Sequence, residues 1–87
     1  MTDLEQAALA NIRGLACAWC IRYGRHAIER MDERGATRQD VQAALAGATE
    51  CRAQPQGRWK ITGADRDGDE LTVVVVIEDG VVVVTVF

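Results

Sequence analysis

The sequence has little of what marks secreted, membrane-spanning or nucleic-acid-coating proteins. Its three cysteines are an odd number and do not fit the paired disulfide framework of small secreted domains. No apolar run approaches membrane-spanning length, and the acidic residues 1–5 lack the basic region of a signal peptide. Ten basic residues against 13 acidic ones give a formal net charge of -3, which excludes a general nucleic-acid coat. We therefore expect a cytoplasmic protein without membrane contact, in which any anion-binding site is local.

The first half of the chain has helix patterns, and the length of 87 residues allows one domain with a single modest core. Thr2 with Glu5, and Thr37 with Asp40, have the spacing of capping boxes, in which a side chain satisfies a backbone N–H at a helix start. Gly35 is suited to end a helix because glycine adopts the left-handed conformation without strain. Three helices are predicted, at about residues 3–19, 26–35 and 38–47, with a short extended segment at 21–23.

The second half of the chain has strand patterns. Residues 59–62 form a strand candidate, and the acidic residues 65–69 form a turn after it. The spaced carboxylates resemble the start of a calcium loop, but its twelfth position would be Val76 and not glutamate, so a hairpin turn is favoured. We predict a single domain, 1–87, with an α+β fold: about three short N-terminal helices packed on a C-terminal antiparallel sheet that ends in a valine-rich hairpin.

The closing hairpin decides which valines share a face of the sheet. Asp79-Gly80 predicts a tight two-residue turn between strands at 71–77 and 81–87. One face of this hairpin is wholly apolar and should pack on the helices, and the face on the other side is also apolar. Three short helices cannot cover both sides of a sheet, so we expect part of this second face to be a partner interface. Coverage by another helix of the same chain is the alternative. The core-facing pairs in this register are Ile77 with Val82, Val75 with Val84, and Val73 with Val86, and the partner interface is Val74, Val76, Val83 and Phe87.

A stripe of three cationic or titratable residues is the main candidate for chemistry. His26, Arg30 and Arg34 recur every four residues, so they drift only slowly around the second helix. Histidine titrates near neutral pH, and the guanidinium fork of arginine matches phosphoryl oxygens. The alternative is an ordinary solvated helix surface, because pairs such as Arg25 with Glu29 are common there. The stripe therefore indicates phosphate-directed chemistry or a plain charged face.

The cysteines offer a second, weaker candidate. Cys17 and Cys20 form a C-x-x-C pair that, with His26 and Cys51, would nominally supply four metal ligands. A redox site of this kind follows a strand in a βαβ unit, and a zinc ribbon needs two ligand pairs; the sequence has neither. We predict that Cys17 and Cys20 are small buried apolar residues on a helix and that the protein has no metal and no other cofactor.

A family resemblance sharpens these expectations. The resemblance lies in His26-Ala27, Arg30-Met31, Arg34-Gly35, Asp40-Val41, Gly57-Arg58-Trp59-Lys60 and the closing valine-rich hairpin. In these residues the chain resembles a small bacterial family known as a domain of unknown function, which is distantly similar to MqsR-type and RelE-like toxins. The resemblance implies a toxin-like α+β fold, metal-independent cleavage of messenger RNA and a cognate antitoxin partner. The lysine, glutamine and tyrosine that catalyse in those toxins have no counterparts here that can be assigned residue by residue.

RNA cleavage requires proton transfer and cationic donors around the phosphorus. The expected acid or base is His26. The alternative function is a non-catalytic interaction module, which associates through the apolar sheet face either with itself as a homodimer or with another chain. We predict a catalytic set of His26, Arg30, Arg34, Arg58 and Lys60, with Arg22, Tyr23 and Arg25 binding RNA.

Overall fold

Three helices form where the sequence supplies their caps. The hydroxyls of Thr2 and Thr37 accept hydrogen bonds from the backbone N–H groups of Glu5 and Asp40, both at 3.1 Å, and the two carboxylates complete the capping boxes. Gly35 ends the second helix in the left-handed conformation, with φ at 69°. In the computed structural model, which describes residues 1–87, the helices are α1 (Asp3–Cys17), α2 (Arg25–Arg34) and α3 (Arg38–Ala46).

Five strands form one mixed sheet with the order β1-β5-β4-β3-β2. The short β1 runs parallel to β5, and the other neighbours are antiparallel, so the predicted α+β class is confirmed but the sheet is not wholly antiparallel. The sequence pattern also missed β2, because only one of its five residues is buried. The strands are β1 (Ile21–Tyr23), β2 (Glu50–Gln54), β3 (Arg58–Ala64), β4 (Glu70–Ile77) and β5 (Val81–Val86), with a short 3-10 turn at Pro55–Gly57.

The hairpin register differs from the predicted one at its closed end. Ile77 pairs with Val81, not Val82, because the loop has three residues, of which Asp79 and Gly80 have positive φ angles. A β-bulge between Val83 and Thr85 inserts one extra residue and restores the predicted pairing of Val73 with Val86. Val83 therefore pairs with Val75, and both are fully buried. The assignment of Val83 to the outer, partner-binding face is wrong, since it lies in the core.

All three helices pack on the same face of the sheet. Helix α2 lies on β5, α3 lies on β3 and β4, and α1 packs against α3 and β2. None of the three is long or apolar enough to cross a bilayer. The opposite face of the sheet carries no helix, which leaves a broad strand surface uncovered. The fully buried side chains of the core include Ile12, Val41, Leu45, Ile61, Val73, Val75, Val81, Val83 and Val86.

Candidate functional site

Helix α2 is held along β5 by its apolar side and its first turn. Ala27 and Met31, one turn apart, are buried against the sheet. The backbone N–H of Gly24, the N-cap residue, donates to the carbonyl of Val83 at 3.0 Å. His26 lies in the first turn with its imidazole exposed. The histidine is therefore presented to solvent from a helix whose position is fixed.

Arg30 occupies the flank of α2 that faces the end of β5. Its Nε donates to the carbonyl of Val86 at 3.3 Å, and its Nη1 contacts Glu33 Oε2 at 3.0 Å. Val86 lies beyond the part of β5 that pairs with β1, so the guanidinium supplies a donor where the neighbouring strand has ended. The side chain is 31% exposed. Arg30 is thus held in one orientation one helical turn from His26, with Nη2 free of protein partners.

Arg34, the last member of the stripe, faces a different environment. It lines a cleft with five carboxylates, those of Asp40, Asp65, Asp67, Asp69 and Glu70. Carboxylates at this density attract a guanidinium and repel a phosphate. Arg34 is therefore better placed to balance these acidic groups than to bind RNA.

The acidic turn after β3 is a hairpin turn, as the sequence predicted. The backbone N–H groups of Asp67 and Asp69 both donate to Asp65 Oδ1 at 2.9 Å. Carboxylate oxygens of Asp40, Asp65 and Asp67 lie within 4.8 Å of one another, which makes these the residues here best spaced to hold a cation. Hydrogen bonds from the backbone N–H and the hydroxyl of Thr37 lower the pKa of Asp40. These contacts explain the cluster as a capped helix start beside a tight turn.

Tyr23 is already engaged within the protein. The guanidinium of Arg38 lies 4.9 Å from the centroid of its ring, and the phenol donates to the carbonyl of Arg38 at 3.4 Å. Burial raises the pKa of the phenol, so it stays protonated at neutral pH. Arg25, with 95% of its side chain exposed, lies near Glu29 at 3.8 Å. Of these predicted RNA-binding residues, Arg25 is free to move and Tyr23 is not.

Arg58 and Lys60 lie on the other side of the sheet from α2. Side chains alternate along β3, and Ile61 is buried under the helices while Trp59 packs against the same core. Arg58 and Lys60 therefore project from the helix-free face, and β4 separates β3 from β5. The predicted catalytic set is split between two surfaces, because sequence proximity to α2 gave no information on which face of β3 these cations occupy.

The helix-free face also holds cations that the sequence pattern did not bring together. Arg22 lies between Ile21 and Tyr23, which pack against the core, so it projects outward, where it donates to the carbonyl of Glu78. Arg52 is next to the buried Cys51 in β2 and likewise projects outward. The signal for Arg52 was absent because β2 was not predicted.

The cysteines occupy two environments. Cys17 and Cys20 are exposed at the end of α1 and just after it, whereas Cys51 is buried in β2. The prediction that Cys17 and Cys20 are buried on a helix is wrong, because α1 ends at Cys17 and the chain turns there at the surface. Burial raises the pKa of the Cys51 thiol, so this group stays protonated and unreactive at neutral pH.

Comparison with known proteins places most of the chain in one family. No curated protein matches it closely enough to count as a relative. A family model described as a domain of unknown function matches residues 23–87, which include α2, α3 and β2 to β5 but not α1. The chain therefore belongs to the family described as domain of unknown function DUF4258.

Proposed function

We propose that this protein is a metal-independent endoribonuclease that cleaves messenger RNA and acts as the toxin of a type II toxin–antitoxin pair. The observation that carries the proposal is the adjacency of His26 and Arg30 on the exposed flank of α2. The imidazole is open to solvent, and the guanidinium is fixed by Val86 and Glu33. A proton carrier beside a fixed cation is what phosphodiester cleavage by the ribose hydroxyl requires.

The chemistry needs no metal because RNA carries its own nucleophile. His26 takes the proton of the 2′-hydroxyl as that oxygen bonds to phosphorus, and the bond from phosphorus to the 5′-oxygen breaks. The imidazolium returns the proton to the leaving 5′-oxygen, so the products are a 2′,3′-cyclic phosphate and a 5′-hydroxyl. Arg30 stabilises the negative charge of the phosphorane through the unoccupied Nη2.

One neighbouring cation, Arg25, holds the RNA backbone in this proposal. Arg25 lies in the same first turn as His26 and is almost fully exposed, so it can follow a phosphate without strain. Arg34 is left out of the centre because of its acidic cleft, and Arg58 and Lys60 because they lie on the other face. The reacting centre is therefore smaller than the sequence predicted and is confined to α2.

The test is cleavage of RNA by purified protein in the presence of a chelator. We expect His26→Ala to reduce the cleavage rate by about 10²-fold or more, since one group carries the proton in both directions. The thermal midpoint should stay unchanged because the imidazole is exposed. Arg13→Ala, which removes a cation from the exposed side of α1, is the matched control and should cleave like the wild type. Cleavage at an unchanged rate by His26→Ala would exclude the proposal.

A non-catalytic interaction module is the second candidate, and the helix-free sheet face favours it. Val76 and Val82 are only half-buried there, and Phe87 is exposed. Expression of the protein alone separates the two candidates. A toxin arrests growth and loses this effect with His26→Ala, whereas an interaction module is harmless and leaves RNA intact.

A further inference from the structure

We propose that the helix-free face of the sheet is the docking surface for an acidic amphipathic helix of a different protein chain. This inference goes beyond the nuclease proposal, because the surface includes neither His26 nor Arg30. It applies equally to a nuclease and to a non-catalytic module.

Strand register aligns the cations and valines of this face in two rows. In the first row, Arg22 pairs with Val82, which pairs with Val76. Arg58 continues this row on β3, because its neighbour Trp59 pairs with Val75. The second row runs through Arg52, Lys60, Val74 and Thr85, each paired with the next.

The centre of the face is apolar. Val74 is only 8% exposed although no helix covers it, so the flanking side chains already shield it. Val76, Val82 and Val84 are half-buried, and the bulge places Val84 and Thr85 together between two inward-facing valines. A second helix layer would remove this surface from water, as in folds that cover a sheet on both sides.

The edge of the face is positive in a chain with a net charge of -3. Arg22, Arg52, Arg58 and Lys60 flank the valines at the hairpin end of the sheet. Two carboxylates lie near these cations. Glu50 is paired with Arg52 at 2.8 Å, and Glu78 follows β4 at the hairpin end, where its backbone carbonyl accepts a hydrogen bond from Arg22. The four cations outnumber these two carboxylates. Glu70 projects from the opposite end of β4. A partner with carboxylates beside an apolar stripe therefore matches both the centre and the edge.

Three other occupants fit this surface less well. RNA binding on a sheet uses aromatic rings that stack on bases, and the centre here is valine. A second copy docked face to face with the two hairpin ends together would bring the same cations against each other across the two-fold axis. A membrane surface favours protruding apolar side chains. Among the large apolar side chains of this face, only Phe87 protrudes, with 47% of its surface exposed.

The experiment is a titration of isotope-labelled full-length protein followed by its backbone amide resonances. The probe is an 18-residue synthetic helix with leucine on one side and glutamate on the other. Matched peptides replace every glutamate by lysine or every leucine by serine. We expect saturable shifts on β3, β4 and β5 with the acidic amphipathic peptide, and at least tenfold weaker binding of both matched peptides.

Charge reversals then locate the surface. Arg58→Glu and Lys60→Glu should each weaken binding of the acidic peptide by about tenfold, whereas Arg13→Glu, the same charge change on α1, should leave it unchanged. Circular dichroism confirms that each variant is folded. The proposal is overturned if the acidic peptide gives no saturable shifts, if the lysine peptide binds as well, or if the shifts lie on α2. Tighter binding of a uridine dodecamer or of phosphatidylglycerol vesicles to this face would also overturn it.

Discussion

The Nε of Arg30 donates a hydrogen bond to the carbonyl of Val86, joining α2 to the end of β5 at 3.3 Å. The same guanidinium contacts Glu33 through Nη1 and leaves Nη2 unoccupied. A side chain held in this way loses little freedom when it binds a phosphate, which favours both affinity and transition-state stabilisation. Stability and activity should therefore both depend on Arg30, and conservative substitution should separate them.

We expect Arg30→Ala to lower the free energy of unfolding by about 1 kcal/mol, the usual net contribution of one hydrogen bond, and to remove RNA cleavage. Arg30→Lys keeps the charge but cannot contact Val86, Glu33 and a phosphate together, so cleavage should fall by about tenfold or more. Rates are measured well below the thermal midpoint of each variant. Wild-type cleavage by both folded variants would show that Arg30 has only a structural role.

A close contact between Gly63 and Ala44 fixes α3 on the sheet. A Cβ on Gly63 would lie 2.0 Å from the carbonyl oxygen of Ala44, so α3 would have to move away from β3. We expect Gly63→Ala to reduce the free energy of unfolding by about 2 to 4 kcal/mol, as measured by urea denaturation. The matched control is Gly14→Ala in α1, where a Cβ meets nothing within 4 Å. That variant should be more stable by about 0.5 to 1 kcal/mol because alanine favours the helix. Equal effects of the two changes would contradict this account.

The local signals in the sequence were sufficient for the helices and insufficient for the sheet register. Capping at Thr2 and Thr37 and termination at Gly35 depend on residues only a few positions apart, so the sequence predicts them directly. The bulge at Val84 has no such signal. Every residue of the run 81–84 is valine, so each possible register places a valine in the core and the sequence favours none of them. The pairing of β1 with β5 links residues about 60 positions apart and depends on the packing of the whole domain.

The candidate site was predictable where it lies on one element and not where it spans several. His26 and Arg30 share α2, and helical periodicity alone places them on one flank. Arg58 and Lys60 required knowledge of the strand order and of the face of β3 that the helices cover. The pairing of Arg52 with Lys60 across β2 and β3 was not predicted for the same reason, because it also depends on the strand order.

The carboxylate of Glu5 links the start of α1 to β2 and should make stability depend on pH. It accepts hydrogen bonds from the backbone N–H groups of Thr2 at 2.8 Å and Ala53 at 2.9 Å. Both bonds lower the pKa of Glu5, and the bond from Thr2 has the larger effect. A carboxyl group whose pKa is lower in the folded protein than in the unfolded chain, where it is about 4.3, stabilises the fold at pH values above the unfolded-state pKa. This stabilisation is lost as the pH falls through the lower pKa of the folded state.

We therefore expect the thermal midpoint to fall as the pH drops below about 4, and to fall less steeply in Glu5→Gln, whose amide cannot protonate over this range. Glu29→Gln, a change on the solvent side of α2, serves as the control and should follow the wild-type profile closely. Parallel profiles for the wild type and Glu5→Gln between pH 7 and pH 3 would show that Glu5 does not titrate with unfolding.

The three thiols should differ in reactivity because the fold exposes two and buries one. In the native protein, Ellman's reagent should titrate Cys17 and Cys20 quickly, since both are accessible. Cys51, fully buried and with a raised pKa, should react only when the protein unfolds, so its rate should increase with urea in step with loss of circular dichroism. Cys17→Ala with Cys20→Ala should fold with a nearly unchanged thermal midpoint and leave only the slow thiol. Stoichiometric zinc in the wild-type protein, purified without added metal and lost from this double variant, would instead identify the pair as ligands.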